Sequence, residues 1–184
     1  NTAGEGMATG IVRIDGKLII ILDFEKIVSD INPETGLKIS DVERMTHRTR
    51  NETPILIAED SALLSKMIVN CLEQAGYTNI TTTANGQECW EKLQEYNASG
   101  DLDSKVACII TDIEMPQMDG HHLTKLIKTD EQLKNIPVII FSSLINEQMR
   151  AKGELLGADA QLSKPEIGQL VSEIDKLVGN VQAE

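Results

Sequence analysis

Val106-Ala107-Cys108-Ile109-Ile110-Thr111-Asp112 is an apolar run closed by a single aspartate. Its length and bounding residues read as a strand buried on both faces. Working outward, Pro54-Ile55-Leu56-Ile57-Ala58 is a second such run, and it ends in the acidic pair Glu59-Asp60. A third, Val138-Ile139-Ile140-Phe141, ends in Ser142-Ser143, and Ala160-Gln161-Leu162-Ser163 leads into Lys164-Pro165. In an open parallel α/β sheet, ligands bind beyond the carboxyl ends of the strands. These tails therefore converge on one crevice. Taken singly, an acidic pair after a strand is an ordinary solvated turn and a lone Asp an ordinary cap or turn residue. Taken jointly, they gather three carboxylates, a hydroxyl and a fixed cation.

That set points to a chemistry. Close carboxylates raise one another's pKa unless a cation or a shared proton relieves them. A hard divalent cation with oxygen ligands, Mg²⁺ above others, supplies that relief. Asp112 is a candidate nucleophile, because carboxylates do accept phosphoryl groups. Lys164 is placed to neutralise charge on a moving phosphoryl group, and Ser142 to donate a hydrogen bond to one of its oxygens. The expected reaction is phosphoryl transfer onto Asp112, by positioning and charge stabilisation.

At these residues the chain resembles a response-regulator receiver domain, over residues 53–179. The motifs that carry the resemblance are Glu59-Asp60, the run Asp112-Ile113-Glu114-Met115-Pro116-Gln117-Met118-Asp119-Gly120, Ser142 and Lys164-Pro165, in family order. The resemblance implies a five-stranded parallel flavodoxin-like sheet ordered 2-1-3-4-5. It implies that Asp112 is the phosphoacceptor, with Ser142 and Lys164 acting on the phosphoryl group. It also implies Mg²⁺ binding by Asp60, Asp112 and the main-chain carbonyl of Glu114, with Glu59 acting through a water. The Lys164–Pro165 bond is usually cis in the family. Such a domain is not an enzyme with a diffusible substrate; its chemistry is Mg²⁺-dependent self-phosphorylation and dephosphorylation. A haloacid-dehalogenase-like phosphatase also uses an Asp nucleophile but wants Asp-x-Asp, where this chain has Asp112-Ile113-Glu114. A receiver that folds and is never phosphorylated is the remaining alternative at this site.

Two positions depart from the family pattern. Gln161 stands where an aromatic that rotates with the phosphorylation state is common, and Glu166 where another aromatic is common. A ring-flip switch at position 161 is therefore not expected, although Phe141 beside Ser142 is a candidate for that part. Output is expected to be mild and intramolecular.

Strands and helices alternate through this half. Helices are expected at 62–75, 86–96, 121–128 and 147–156, and from about residue 166 onward. In the first, Leu64, Ile68 and Leu72 recur at helical spacing. The last carries Ile167, Leu170, Val171, Ile174, Leu177 and Val178 as a broad apolar face. The Thr-rich segment 79–84 reads as an edge strand. The polar run 97–104 reads as a surface loop, and His121 and His122 as exposed residues at a helix start.

The first fifty residues differ. Gly10-Ile11-Val12-Arg13-Ile14 and Lys17-Leu18-Ile19-Ile20-Ile21-Leu22 flank Asp15-Gly16, a strong short hairpin signal. A short helix is expected at 24–29, and 40–53 reads as a linker. The hairpin, with Asp23 and Phe24-Glu25-Lys26-Ile27-Val28, resembles the C-terminal end of a CheW-like coupling domain. A CheW-like domain followed by a receiver is the layout of CheV-type chemotaxis coupling proteins. The expected organisation is residues 1–46 as a C-terminal piece of that domain plus linker, and 51–184 as the receiver. Because most of the coupling domain is absent, the chain is expected to be a fragment of a longer protein. An apolar hairpin so exposed is expected either to pair with a second copy of the chain or to lie disordered.

The resemblance implies two partners: a CheA-type histidine kinase as phosphodonor, and chemoreceptors reached through the missing coupling domain. The alternative is a receiver of another two-component or phosphorelay pathway, with the hairpin incidental.

Composition excludes other classes. The 184 residues are 41% hydrophobic, enough for one ordinary core and a smaller appendage. Residues 1–50 hold 7 Lys/Arg and 8 Asp/Glu; the remainder of the 17 and 29 gives residues 51–184 a net charge of −11 out of −12. So acidic a domain is not expected to bind nucleic acid or an anionic membrane by bulk electrostatics. No apolar stretch approaches the ~20 residues of a membrane-spanning helix. Cys71, Cys89 and Cys108 fit no zinc or disulfide spacing, and each sits in an apolar pattern. They imply a reducing, cytoplasmic setting.

Overall fold

The computed structural model describes residues 8–14, 17–22, 50–164 and 166–181. They fall into two units, 1–38 and 39–184. In the first unit, β1 (Ala8–Ile14) pairs antiparallel with β2 (Lys17–Leu22), Ile14 opposite Lys17 and Val12 opposite Ile19, with a register shift between Ala8 and Gly10. The Asp15-Gly16 turn, the helix expected at 24–29 and most of the expected linker lie outside the described residues.

The second unit holds β3 (Ile55–Ala58), α1 (Ala62–Gln74), β4 (Ile80–Thr83), α2 (Gly86–Ser99), α3 (Leu102–Lys105), β5 (Cys108–Thr111), α4 (Gly120–Thr129), β6 (Val138–Ser142), α5 (Glu147–Leu155), β7 (Ala160–Ser163) and α6 (Ile167–Val181). The five strands β3–β7 form one parallel sheet ordered β4-β3-β5-β6-β7. Numbered within this unit, that order is 2-1-3-4-5, as expected. Every residue of β3, β5 and β6 is buried, which is why these strands read as unbroken apolar runs, whereas the outermost strand β4 is only partly covered.

Short capped turns keep the strand tails together. The side chains of Ser61, Asn85, Asp119 and Asn146 accept from the N–H groups of Leu64, Glu88, His122 and Met149. Each cap satisfies a donor that the first helical turn leaves free, worth about 1 kcal/mol. Helices α1, α2 and α5 start within a few residues of a strand's carboxyl end, whereas α4 follows β5 only after the loop that begins at Asp112.

Three expectations need correction. The helix expected to stop at residue 96 continues to Ser99, and α3 occupies part of the run expected to be a loop. Gly100, at φ +78°, supplies the stop instead. Asn51 is not free linker: it bridges to Tyr77, donating to Gly76 O at 2.8 Å and accepting from Thr78 N–H at 3.0 Å. His121 is buried, at 2% exposure, while His122 is exposed. The Asp119 cap starts the helix at Gly120 and turns His121 inward.

Candidate functional site

The acidic pair follows β3 with no intervening residue. Glu59 is buried and Asp60 exposed. Asp112 follows β5 directly; its N–H donates to Ala58 O at 3.0 Å, which locks the ends of the two strands together. One carboxylate oxygen from each of Glu59, Asp60 and Asp112 lies within 4.8 Å of the other two. Lys164, one residue past β7, reaches across the sheet: its Nζ is 2.6 Å from Asp112 Oδ2 and 2.9 Å from Glu59 Oε2.

The electrostatics follow from burial. Desolvation raises the Glu59 carboxyl above its ordinary value; the bond and charge of Lys164 pull against this, and the nearby Asp112 charge adds to the rise. For Lys164, burial works to lower the pKa, but the hydrogen bonds it donates to Asp112 and Glu59, with the charge of those carboxylates, outweigh it and leave the ammonium above its ordinary value. One cation thus faces three carboxylates. The excess negative charge, carried on hard oxygen donors, fits a Mg²⁺ ion held by Glu59, Asp60 and Asp112.

Asp112 is pinned at four points. Besides the Ala58 and Lys164 contacts, its Oδ1 accepts from the Ile113 N–H at 2.6 Å, and its carbonyl accepts from the Thr111 hydroxyl at 2.9 Å. Gly120 lies so close that a Cβ there would collide with the Asp112 carbonyl. The loop closes back through Gly120 N–H to Ile113 O, at 3.0 Å.

Ser142 is the last residue of β6 and fully buried. Thr111 is opposite Ile140 in the β5–β6 register, so Ser142 sits on the strand beside Asp112. Its Oγ accepts from Leu144 N–H at 3.3 Å, and its carbonyl accepts from Lys164 N–H at 3.2 Å, tying it to the lysine. Glu114 lies in the loop two residues beyond Asp112 with its side chain exposed. Pro165 lies outside the described residues, and the expected cis bond with it. Glu59 and Asp60 also wall an open groove of about 570 Å³ that runs between α1 and the turn after β4, past Ser65, Lys66 and Thr82.

Gln161 is held, as an aromatic could not be. Its Nε2 donates to Arg150 O at 2.8 Å, and Arg150 Nη1 donates to Gln161 O at 3.2 Å. Gly153 of α5 leaves the space that this amide fills. Sequence reasoning gave no role to Thr111 and took Gly120 only as the end of a motif. For Gly120, a glycine placed to start a helix was the available signal.

The family model described as "Response regulator receiver domain" matches residues 55–175. Chemotaxis protein CheV3 of Helicobacter pylori is 31% identical over 181 residues, 97% of this chain and 57% of that protein. Chemotaxis protein CheY1 of the same organism is 30% identical over 119 residues, 65% of this chain and 90% of that protein. Among solved structures, the signal receiver domain of a signal transduction histidine kinase from Syntrophus aciditrophicus superposes with a TM-score of 0.62 at 29% identity, covering 72% of this chain and 94% of that one. The chain spans a little over half of the CheV3 length.

Proposed function

The chain belongs to the response regulator receiver domain family, and we propose that it is the phospho-accepting receiver of a chemotaxis coupling protein. A CheA-type histidine kinase supplies the phosphoryl group and Asp112 receives it. The phosphorylated receiver then tunes coupling of that kinase to chemoreceptors, or drains phosphate from it. The observation that carries this reading is the single ammonium of Lys164 bridging Asp112 Oδ2 and Glu59 Oε2. Similarity along 97% of the chain to a chemotaxis protein of the CheV group supports the pathway.

In the transfer, an Asp112 carboxylate oxygen attacks phosphorus as the P–N bond of a phosphohistidine breaks. The imidazole leaves with the bonding pair, neutral because its second nitrogen already carries a proton. Lys164 keeps its positive charge beside the new phosphoryl oxygens, and Ser142 donates a hydrogen bond to one of them. Mg²⁺, when held by Glu59, Asp60, Asp112 and the Glu114 carbonyl, supplies further positive charge to those oxygens.

Residues 1–46 are read as the C-terminal piece of a CheW-like coupling domain plus linker, and residues 51–184 as the receiver. The β1–β2 pair forms a two-stranded sheet, a unit marginal by itself; strand pairing with a second copy of the chain is the arrangement that covers its edges. The three cysteines are all free, in keeping with a cytoplasmic setting. The test is transfer of radiolabel from an autophosphorylated CheA-type kinase to this chain and to Asp112→Asn. Label on the first alone supports the reading; label on both, or on neither, contradicts it.

A further inference from the structure

Both Asp112 carboxylate oxygens are engaged before any chemistry begins, Oδ1 by the main-chain N–H of Ile113 at 2.6 Å and Oδ2 by the mobile side-chain ammonium of Lys164 at 2.6 Å. That N–H belongs to the same planar peptide unit as the Asp112 carbonyl, so the two groups turn together. The carbonyl in turn accepts from the Thr111 hydroxyl at 2.9 Å. Thr111 is fully buried, and Gly120 closes over the pair: a Cβ at Gly120 would stand 3.0 Å from Thr111 Oγ1. Among the described residues, the Thr111 hydroxyl is the hydrogen-bond donor shown at that carbonyl.

We propose that Thr111 is a positioning residue for phosphoryl transfer: its hydroxyl fixes the 112–113 peptide so that the Ile113 N–H holds Asp112 Oδ1, and Oδ2, whose partner is the side chain of Lys164 and not the backbone, is the attacking oxygen once that ammonium turns to the incoming phosphoryl oxygens. The inference rests on Asp112 being the phosphoacceptor. Hydroxyl, carbonyl, N–H and carboxylate form one chain of hydrogen bonds, and each bond polarises the next. The chain draws charge from Oδ1 and stops the carboxylate from rotating. Oδ2, on the Lys164 side, keeps its direction toward the incoming group. Freezing one rotor of a nucleophile before attack speeds the step that follows.

The experiment uses the full chain, Thr111→Val, Thr111→Ser, and Thr111→Ala as a second deletion that places no methyl against Gly120. The first readout needs neither donor nor metal. The Ile113 amide proton, held downfield by its short bond to a carboxylate, moves upfield in Thr111→Val and Thr111→Ala and returns in Thr111→Ser. The second is Mg²⁺-dependent phosphorylation by acetyl phosphate. At saturating donor the rate constant falls about tenfold in both deletions, the scale of one lost positioning hydrogen bond. The half-saturating donor concentration stays the same, and Thr111→Ser recovers most of the rate. An unmoved Ile113 amide, or a Thr111→Ser variant as slow as Thr111→Ala, overturns the role of Thr111. A wild-type chain that takes no phosphate overturns the receiver reading and this inference together. A phosphorylated wild type matched by its Thr111→Val and Thr111→Ala variants overturns this inference alone.

Discussion

Lys164 and Asp112 stand 52 residues apart in the chain and 2.6 Å apart in space, Nζ to Oδ2. The same ammonium is 2.9 Å from Glu59 Oε2. This single side chain therefore joins the carboxyl ends of β7, β5 and β3. All three partners are shielded from water, so their mutual attraction is screened little and their desolvation is costly. Removing one partner leaves the others uncompensated.

Lys164→Met is accordingly expected to destabilise the fold by about 3–5 kcal/mol in urea unfolding without metal, the scale for breaking a buried pair. Added Mg²⁺ should recover part of the loss, because it answers the same excess of carboxylate charge. Wild-type stability in the metal-free variant contradicts this.

Lys164→Arg keeps the charge but replaces a compact ammonium with a planar fork. Phosphorylation by acetyl phosphate should persist at a reduced rate. The phosphorylation-dependent change in amide signals around Ser142, whose carbonyl accepts from the Lys164 N–H, should disappear. The normal shift in this variant would count against the role of Lys164.

Gly120→Ala must push a methyl into the Asp112 carbonyl, a backbone atom that cannot swing away. The expected cost is ~2 kcal/mol or more, the upper range for overpacking. Phosphorylation should slow as well, because the displaced carbonyl carries the Asp112 carboxylate with it. A variant with wild-type melting temperature and rate would show that the loop relaxes freely.

The sheet was legible because its central strands are buried on both faces and so appear as runs of Ile, Leu and Val, with no need to infer a period. Glu59 and Asp112 were legible because each follows such a run directly, and Lys164 because it precedes Pro165 at the end of the short segment Ala160-Gln161-Leu162-Ser163. The α2–α3 region was not: Asn97, Ser99, Gly100 and Asp101 carry loop propensities, yet the helix persists to its αL stop at Gly100. Local preference there yields to continuation of an established helix. His121 was misread because a polar residue at a helix start is usually solvated, and its burial comes from the tertiary seating of α4. Thr111 escaped notice because its hydroxyl acts on the backbone of its neighbour, a contact with no pattern in sequence.

His121 gives a prediction in pH. Burial lowers its pKa below the ordinary value of 6.5, the Lys152 charge adds to that, and Asp119 and the Met149 backbone oppose it. The unfolded chain therefore takes the proton more readily than the folded one. The stability tied to neutral His121 is fully present above pH 6.5 and is lost as pH falls through that value toward the lower folded-state pKa. Among the described residues no hydrogen-bond partner reaches its Nε2. His121→Leu should lose less stability than wild type between pH 7.5 and pH 5.5 in urea unfolding. Equal losses in the two proteins would contradict the shift.

Tyr77 donates to Asp175 Oδ1 at 2.6 Å and ties the segment between α1 and β4 to α6. Tyr77→Phe should cost ~1.5–3 kcal/mol, the range for a hydrogen bond to a charged group, and leave the phosphorylation rate unchanged. A stability equal to wild type would contradict the first expectation, and a slowed reaction the second.

The central claim, that Asp112 is the phosphoacceptor, is tested most directly by intact-mass measurement after incubation with acetyl phosphate. Wild type is measured with Mg²⁺ and with chelator, and Asp112→Asn with Mg²⁺. The expected result is one added phosphoryl group on the wild type with Mg²⁺ and none in the other two samples. A phosphoryl group on Asp112→Asn, or one added to the wild type in chelator, would contradict the assignment.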